Sequence, residues 1–383
     1  MEFTLFKNTI KRRKEGDIGL KLMIMFTLVF GLFQSLLFFD QYTNFRDPDV
    51  IQIKNAQKLI KSALKCMNES TEIVLDQDYY HSLKEREDHF NRLHYLLNLI
   101  LPSSAVEVAN QSQGETAEDY WYSHYYTADM STFGPFVPVF IPWRRIALMK
   151  GVDYHQLVEW IFYILNKNYL YITVTDLPCG LLNTTNYSKP NLFIVSANGQ
   201  GHMAFPLTTT DNPPLEIRSQ PKYKVIFRDD NKTHPTRQKV IAAYQKHFGT
   251  KFIIADPEDF VRLSKKSEFV LCPRGFSRNT YHLTETILMG HIPIIFYNDI
   301  KWLPYSEKLD YSKFSFVFNE KEISKSIKVI EKVSRNQIIG MRQNVMKVRN
   351  YFTREKAFNE LEKFMQQGFK ETLLSCSKMM KSR

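Results

Sequence analysis

Cysteine is scarce: Cys66, Cys179, Cys272 and Cys376 are the four in 383 residues. No two stand at a Cys-x-x-Cys spacing, which excludes a structural zinc site. The glycine-rich signatures of nucleotide binding are missing as well, since the chain has neither a Gly-x-Gly-x-x-Gly nor a Walker lysine turn. Asp-x-Asp occurs only at Asp47-Pro48-Asp49 and Asp76-Gln77-Asp78, so the rest of the chain offers no carboxylate pair of that kind for a divalent metal. Long apolar runs are reduced to one, near the beginning.

That run, residues 22–39, is broken only by Gly31, Gln34 and a few small polar side chains. As a helix at ~1.5 Å per residue it is about 27 Å long, enough to cross a bilayer. Lys11, Arg12, Arg13 and Lys14 precede it, and little positive charge follows until Arg46 and Lys54. The positive-inside rule therefore predicts a cytosolic tail (1–21), a transmembrane anchor (22–39) and a lumenal body, the single-pass type II arrangement of a Golgi or endoplasmic reticulum membrane protein. Bulky Leu and Phe at 34–40 oppose a cleaved signal peptide. Sequons at Asn68, Asn110, Asn183, Asn186 and Asn231, all beyond the span, suit a glycosylated lumenal body. The four cysteines lie on the same side, where disulfides are permitted, and allow three complete pairings.

Of the net charge of +11, residues 1–21 hold +3 (six basic, three acidic) and residues 321–383 hold +9 (fifteen basic, six acidic), leaving the middle near neutral. The basic C-terminal region reads first as a solvated helical face and second as an attraction to acidic glycans or headgroups. Lumenal topology excludes nucleic acid as a partner. After the anchor about 340 residues remain, which as a length prior means two domains and a stem.

The stem is expected at 40–119, with polar helical stretches at 50–67 and 79–101 whose apolar residues (Leu83, His94 to Leu97, Ile100) would pack on the body or support a homodimer or hetero-oligomer. A first domain (120–222) alternates a helix at 155–168 with strands at 170–174 and 192–195. A second (223–334) alternates strands at 224–227, 251–254, 269–272 and 292–296 with helices at 236–247, 257–265 and 280–289. Such alternation implies parallel sheets covered by helices. A helical tail (335–383) carries Ile338, Met341, Val345, Val348 and Phe352 as one apolar stripe.

The most informative segment joins strand 269–272 to Cys272-Pro273-Arg274-Gly275, then a helix bearing Glu285, then Gly290-His291-Ile292-Pro293-Ile294-Ile295 and Leu303-Pro304-Tyr305-Ser306-Glu307. A glycine turn leading into a helix is a place where phosphates bind. These four ordered motifs resemble the nucleotide-sugar-binding half of exostosin-type glycosyltransferases. Upstream, Phe227-Arg228-Asp229-Asp230 with Thr233-His234-Pro235-Thr236-Arg237, and Phe193-Ile194-Val195-Ser196-Ala197-Asn198-Gly199-Gln200-Gly201-His202, are similar to further segments of that family. The resemblance implies the α/β fold called GT-B, two Rossmann-like domains facing a cleft, here between an N-terminal transmembrane helix and a C-terminal helical tail. It also implies a nucleotide-sugar donor, no cofactor, and a glycan or glycoprotein acceptor.

On that basis the donor site is expected to comprise Arg237 and Arg274 as cations, the backbone amides of 275–280 beginning at Gly275, the Thr280 hydroxyl, and Glu285 on the ribose hydroxyls. His282 replaces the family's usual arginine, and Arg278 is expected to take over its phosphate contact. The family's glycine after the first strand of this half gives way near Asp229, and an acidic pair expected after strand 170–174 reads Pro178-Cys179, leaving Asp176. Inverting transfer needs a general base, for which Asp176 and His202 are the candidates. The expected function is metal-independent inverting sugar transfer. The departures keep open a catalytically inactive relative that binds nucleotide sugar or glycan, or supports an active partner; a lumenal sulfotransferase would need a phosphate loop near the first strand, where none appears.

Overall fold

The computed structural model describes residues 81–106, 116–178, 181, 191–199, 201–208, 220–228 and 233–367. The expected anchor, the sequons at Asn68, Asn110, Asn183, Asn186 and Asn231, Asp229, Cys66, Cys179 and Cys376 lie outside them. Among the described residues no helix is long and apolar enough to cross a membrane.

Two parallel sheets form, each within its own core. In the first half, helices α1 (Leu83–Ile100), α2 (Ala117–Tyr125), α3 (Trp143–Leu148) and α4 (Tyr154–Ile164) accompany strands β1 (Phe136–Pro138), β2 (Leu170–Thr175), β3 (Leu192–Ser196) and β4 (Met203–Ala204). The strands pair in chain order, Val174 beside Val195 and Val195 beside Met203. Every residue of β2 and β3 is buried, as strands covered on both faces require.

In the second half, β5 (Tyr223–Arg228), β6 (Phe252–Ala255), β7 (Ser267–Pro273), β8 (Ile292–Tyr297) and β9 (Phe316–Asn319) alternate with α5 (Pro235–Phe248), α6 (Pro257–Ser264), α7 (Tyr281–Leu288) and α8 (Ile323–Lys332). Pro235 opens α5 at a position where its missing N–H costs nothing, and the His234 ring caps the same end by accepting from the Thr236 amide at 3.2 Å. The strand order is β6-β5-β7-β8-β9, all parallel. In such a sheet the chain winds one way from β5 to β6 and the other way from β7 onward. The gap at the carboxyl ends of β5 and β7 is then the place where a ligand fits.

Two expected accessory regions are incorporated into these cores. Helix α1, placed in the stem, buries Leu93, His94 and Leu97 in the first core while Leu83, Tyr95 and Leu99 face solvent. The expected C-terminal tail divides. Helix α9 (Arg335–Val348) puts Ile338 and Val345 into the second core, whereas α10 (Arg354–Gln367) buries Ala357, Phe358, Leu361, Phe364 and Met365 in the first. Gly134 makes that return possible: its φ is +54°, and a Cβ there would lie 1.9 Å from the Met365 carbonyl oxygen.

Candidate functional site

Strand β5 ends in Arg228, and α7 starts just beyond the turn that follows β7, so the two elements deliver their polar groups to the same gap. Arg228 Nη1 meets Glu285 Oε2 at 2.8 Å, with both side chains partly exposed. Burial raises the Glu285 carboxyl pKa, and the Arg228 charge opposes that shift. An ion pair set at the switch point, beside the positive end of a helix, presents one cation and one acceptor to an incoming ligand. Glu285 thus stands where the motif predicted; Arg228, quoted in the sequence motif, was not among the candidates.

The other expected donor residues are occupied differently. Arg237 is buried, and its guanidinium lies under the turn, donating to the Arg274 carbonyl at 3.1 Å and to Thr280 Oγ1 at 3.2 Å. A Cβ on Gly275 would come within 2.9 Å of Arg237 Nη2, so the glycine makes room for this guanidinium. Three amides counted on for phosphate are also engaged: those of Arg278 and Asn279 donate to the Asn198 carbonyl at 2.9 and 3.4 Å, and that of Thr280 to Asn279 Oδ1 at 2.9 Å. Arg274 and Arg278 converge on Asp299, at 3.2 and 2.6 Å. Both guanidiniums are thus partly committed to that carboxylate.

His282 is corrected outright as a donor contact. Its ring is buried with centroids 5.8 Å from Phe227 and 6.4 Å from Phe260, and neither nitrogen has a hydrogen-bond partner. Burial, with Arg228 and Arg237 nearby, lowers its pKa to about 3, so it is a neutral core ring rather than a substitute for arginine. Cys272 is a buried free thiol between the Thr286 hydroxyl at 3.4 Å and the His282 carbonyl at 3.6 Å, with its pKa pushed up to about 12 by burial. Complete pairing of the four cysteines is therefore ruled out.

The acceptor-side candidates belong to the first half. Asp176 follows β2 and holds the start of α2, its Oδ2 accepting from the Glu118 amide at 2.9 Å. Glu118 answers through Oε2, which accepts from the Asp176 amide at 3.0 Å and the Thr175 hydroxyl at 3.2 Å, while Oε1 accepts from the Arg144 amide at 2.8 Å. Both carboxyls are buried, and burial raises both pKa values; for Glu118 the Asp176 charge adds to the rise. Asp176 Oδ1 has no partner. Nothing in the sequence around Glu118 pointed to this pair, because a residue in a helix's first turn looks like an ordinary favourable dipole contact.

His202 is not at the cleft. Its ring stacks on Phe193 at 5.3 Å, and Nδ1 accepts from the Ile194 amide at 2.8 Å. That bond leaves the proton on Nε2, and burial lowers the pKa to about 3. The one lone pair of a ring in this tautomer, on Nδ1, is occupied by the Ile194 amide, which removes His202 as a base.

The halves meet through asparagines. Asn198, after β3, accepts from Ser277 Oγ at 2.8 Å through its side chain and donates to the Asp176 carbonyl. Asn279 reaches back from the second half to the carbonyls of Ala197 at 2.9 Å and Phe205 at 3.2 Å. Among the described residues no group of three or more His, Cys, Asp or Glu is arranged to hold a metal ion.

With this geometry in place, residues 179–333 match the Exostosin GT47 domain. A probable glucuronoxylan glucuronosyltransferase of Arabidopsis thaliana is 29% identical over 80 residues, 21% of this chain and 17% of the relative. A probable glycosyltransferase of the same plant is 26% identical over 98 residues, 26% of this chain and 21% of the relative. The chain thus spans at most 21% of the length of these two curated relatives. The solved GtfA/B complex is similar over 57% of this chain and 56% of that one, at 13% identity and a TM-score of 0.37.

Proposed function

We infer that this chain, which carries an exostosin-type glycosyltransferase domain over residues 179–333, moves a sugar from a nucleotide-sugar donor to a glycan or glycoprotein acceptor. The observation that carries this reading is the Arg228–Glu285 pair at the β5/β7 switch point, inside the matched segment. In a GT-B arrangement the ribose hydroxyls would bond to Glu285, and the diphosphate would lie toward Arg228 and the start of α7. Inversion without a catalytic metal, with Asp176 as base across the junction, is the mechanism proposed. Asp176 Oδ1 is unpartnered, and Tyr281 packs on the first core near Asp176. The proposed setting is a type II membrane protein with this body in the Golgi or endoplasmic reticulum lumen, carried by the anchor at 22–39 and supported by the sequons.

A second reading has its own observation. The neutral His282 and the engagement of Arg274 and Arg278 with Asp299 weaken phosphate capture, which suits a relative that binds nucleotide sugar or glycan without turnover. A hydrolysis and binding screen across nucleotide sugars on the purified protein decides between them. Turnover abolished by Glu285→Ala supports the enzyme; saturable binding with no turnover supports the inactive relative.

A further inference from the structure

Strand β9 ends the second sheet, with β8 as its one strand partner. Among the described residues, no backbone hydrogen bond beyond that ladder is made by 316–318. A strand in this position presents a row of amides and carbonyls to any chain that comes beside it, and charged residues, proline or a bulge on the strand are the common protections. Phe316-Val317-Phe318-Asn319 has no charge and no proline, and it pairs with 294–297 one residue for one, without a bulge. Its outer side borders a groove of about 690 Å³, whose wall takes Ser315, Phe316, Val317 and Phe318 in succession. A sheet face would contribute alternate residues; consecutive ones mean that the backbone edge itself lines the space.

A second groove, of about 680 Å³, adjoins the first through Ser312, Phe316 and Val329 and continues between α8 and α9. Its apolar lining includes Val333 and Met341, and its charged lining is Lys313, Lys325, Lys328 and Lys332, with no carboxylate. Glu322 holds Lys325 at 2.7 Å, and Asp310 lies 3.8 Å from Lys313. Lys328 and Lys332 make no ion pair among the described residues. Gly340 lines the same space from the middle of α9, where an added Cβ would meet nothing within 4 Å. A glycine inside a helix costs about 1 kcal/mol against alanine, and no packing neighbour of its own accounts for it. An open strand edge, an apolar floor and unpaired lysines select one kind of occupant. A membrane surface is too broad to enter between two helices, and a glycan has no amides at strand spacing; an extended peptide has them, and its carboxylates would meet the lysines.

We propose that the free edge of β9 and the groove between α8 and α9 form a docking surface for an extended acidic peptide of a partner protein, added as a further strand to the second sheet. Its carboxylates meet Lys328 and Lys332, and its apolar side chains cover Val333 and Met341. With β8 between β9 and β7, the surface is separate from the β5/β7 gap and does not depend on the transferase reading. The test titrates a fluorescent peptide, Glu-Val-Glu-Val-Glu-Val-Glu, against the purified full chain by polarisation, beside the same peptide N-methylated at alternate residues and a sulfated oligosaccharide. The wild type is expected to bind the parent peptide saturably and the N-methylated one about tenfold more weakly, since that peptide keeps the charge and loses strand hydrogen bonds. About tenfold weaker binding is also expected for the Lys328→Glu/Lys332→Glu double variant and for Gly340→Leu, which fills the groove from α9; variants on two separate helices keep the test valid should one misfold. No binding by the wild type, equal binding of the N-methylated peptide, or equal binding by both variants would each overturn the docking surface. So would a sulfated oligosaccharide that binds the wild type more tightly than the peptide and loses that affinity in the double lysine variant, by making the groove a glycan surface.

Discussion

Both sheets are parallel, and their carboxyl ends have opposite character. In the first half, the groups after β2 and β3 bond to one another: Asp176 with Glu118, Asn198 with Asp176 and Ser277, His202 with Ile194. In the second half, Arg228 and Glu285 are held by each other and still face solvent. Parallel sheets place polar groups at both ends, and burial decides which become structure and which stay available. A closed cluster fixes the frame, and the open pair is the part able to exchange partners with a ligand.

Removing the open pair should have the largest effect on function. Glu285→Ala is expected to weaken nucleotide-sugar binding by about a hundredfold, the scale of losing charge-assisted hydrogen bonds, with folding intact; calorimetric titration of the donor checks this, and unchanged affinity would move the site elsewhere. Breaking the closed cluster should act on stability instead. Asn279→Ala leaves the carbonyls of Ala197 and Phe205 without their bond and should cost about 2–3 kcal/mol in urea unfolding.

The acid pair predicts a pH effect whose sign follows from its raised values. A carboxyl whose pKa is higher folded than unfolded stabilises most below the unfolded range near ~4, and that contribution is lost as pH rises through the folded value. Buried histidines such as His202 and His282, lowered to about 3, contribute a stability that rises with pH toward the unfolded value of ~6.5, so the pair's own slope, falling from pH 4 toward 8, is read as the difference between melts of the wild type and of Asp176→Asn. Asp176→Asn removes one of the two charges and should flatten that slope by about 1 kcal/mol while abolishing transfer if Asp176 is the base. The smallest effect is expected at His282, where Phe should cost under about 1.5 kcal/mol as a near-isosteric core swap and leave donor affinity within twofold. A large donor effect there would return the ring to the site.

Much of this was legible in the chain. The strand and helix alternation after residue 223 placed seven of the second half's elements to within two residues, because buried parallel strands are continuous apolar runs and Pro235 marks a helix start. Strands β1, β4 and β9 were missed: they are short edge strands, and Phe136-Val137-Pro138 ends in a residue that seldom marks a strand. The place of Glu285 on α7 was legible from its motif. The roles of Arg237, Gly275 and Arg278 were not, since a motif shows which residues surround a turn but not which side of it they occupy. Glu118 and Asp299 had no signal, because their partners are distant in sequence.

The return of α10 to the first core sets a condition on the order of events during synthesis. Residues 93–207 emerge early but lack Phe358, Leu361 and Phe364, which close their core, until nearly the whole described chain has been made. The second half, built from 225–352 without a break, is complete first. The usual precedence of the N-terminal domain is expected to be reversed here: the half that begins translation should finish folding last, and a chain stopped at 353 should keep the half that carries Glu285 while leaving the other open to water.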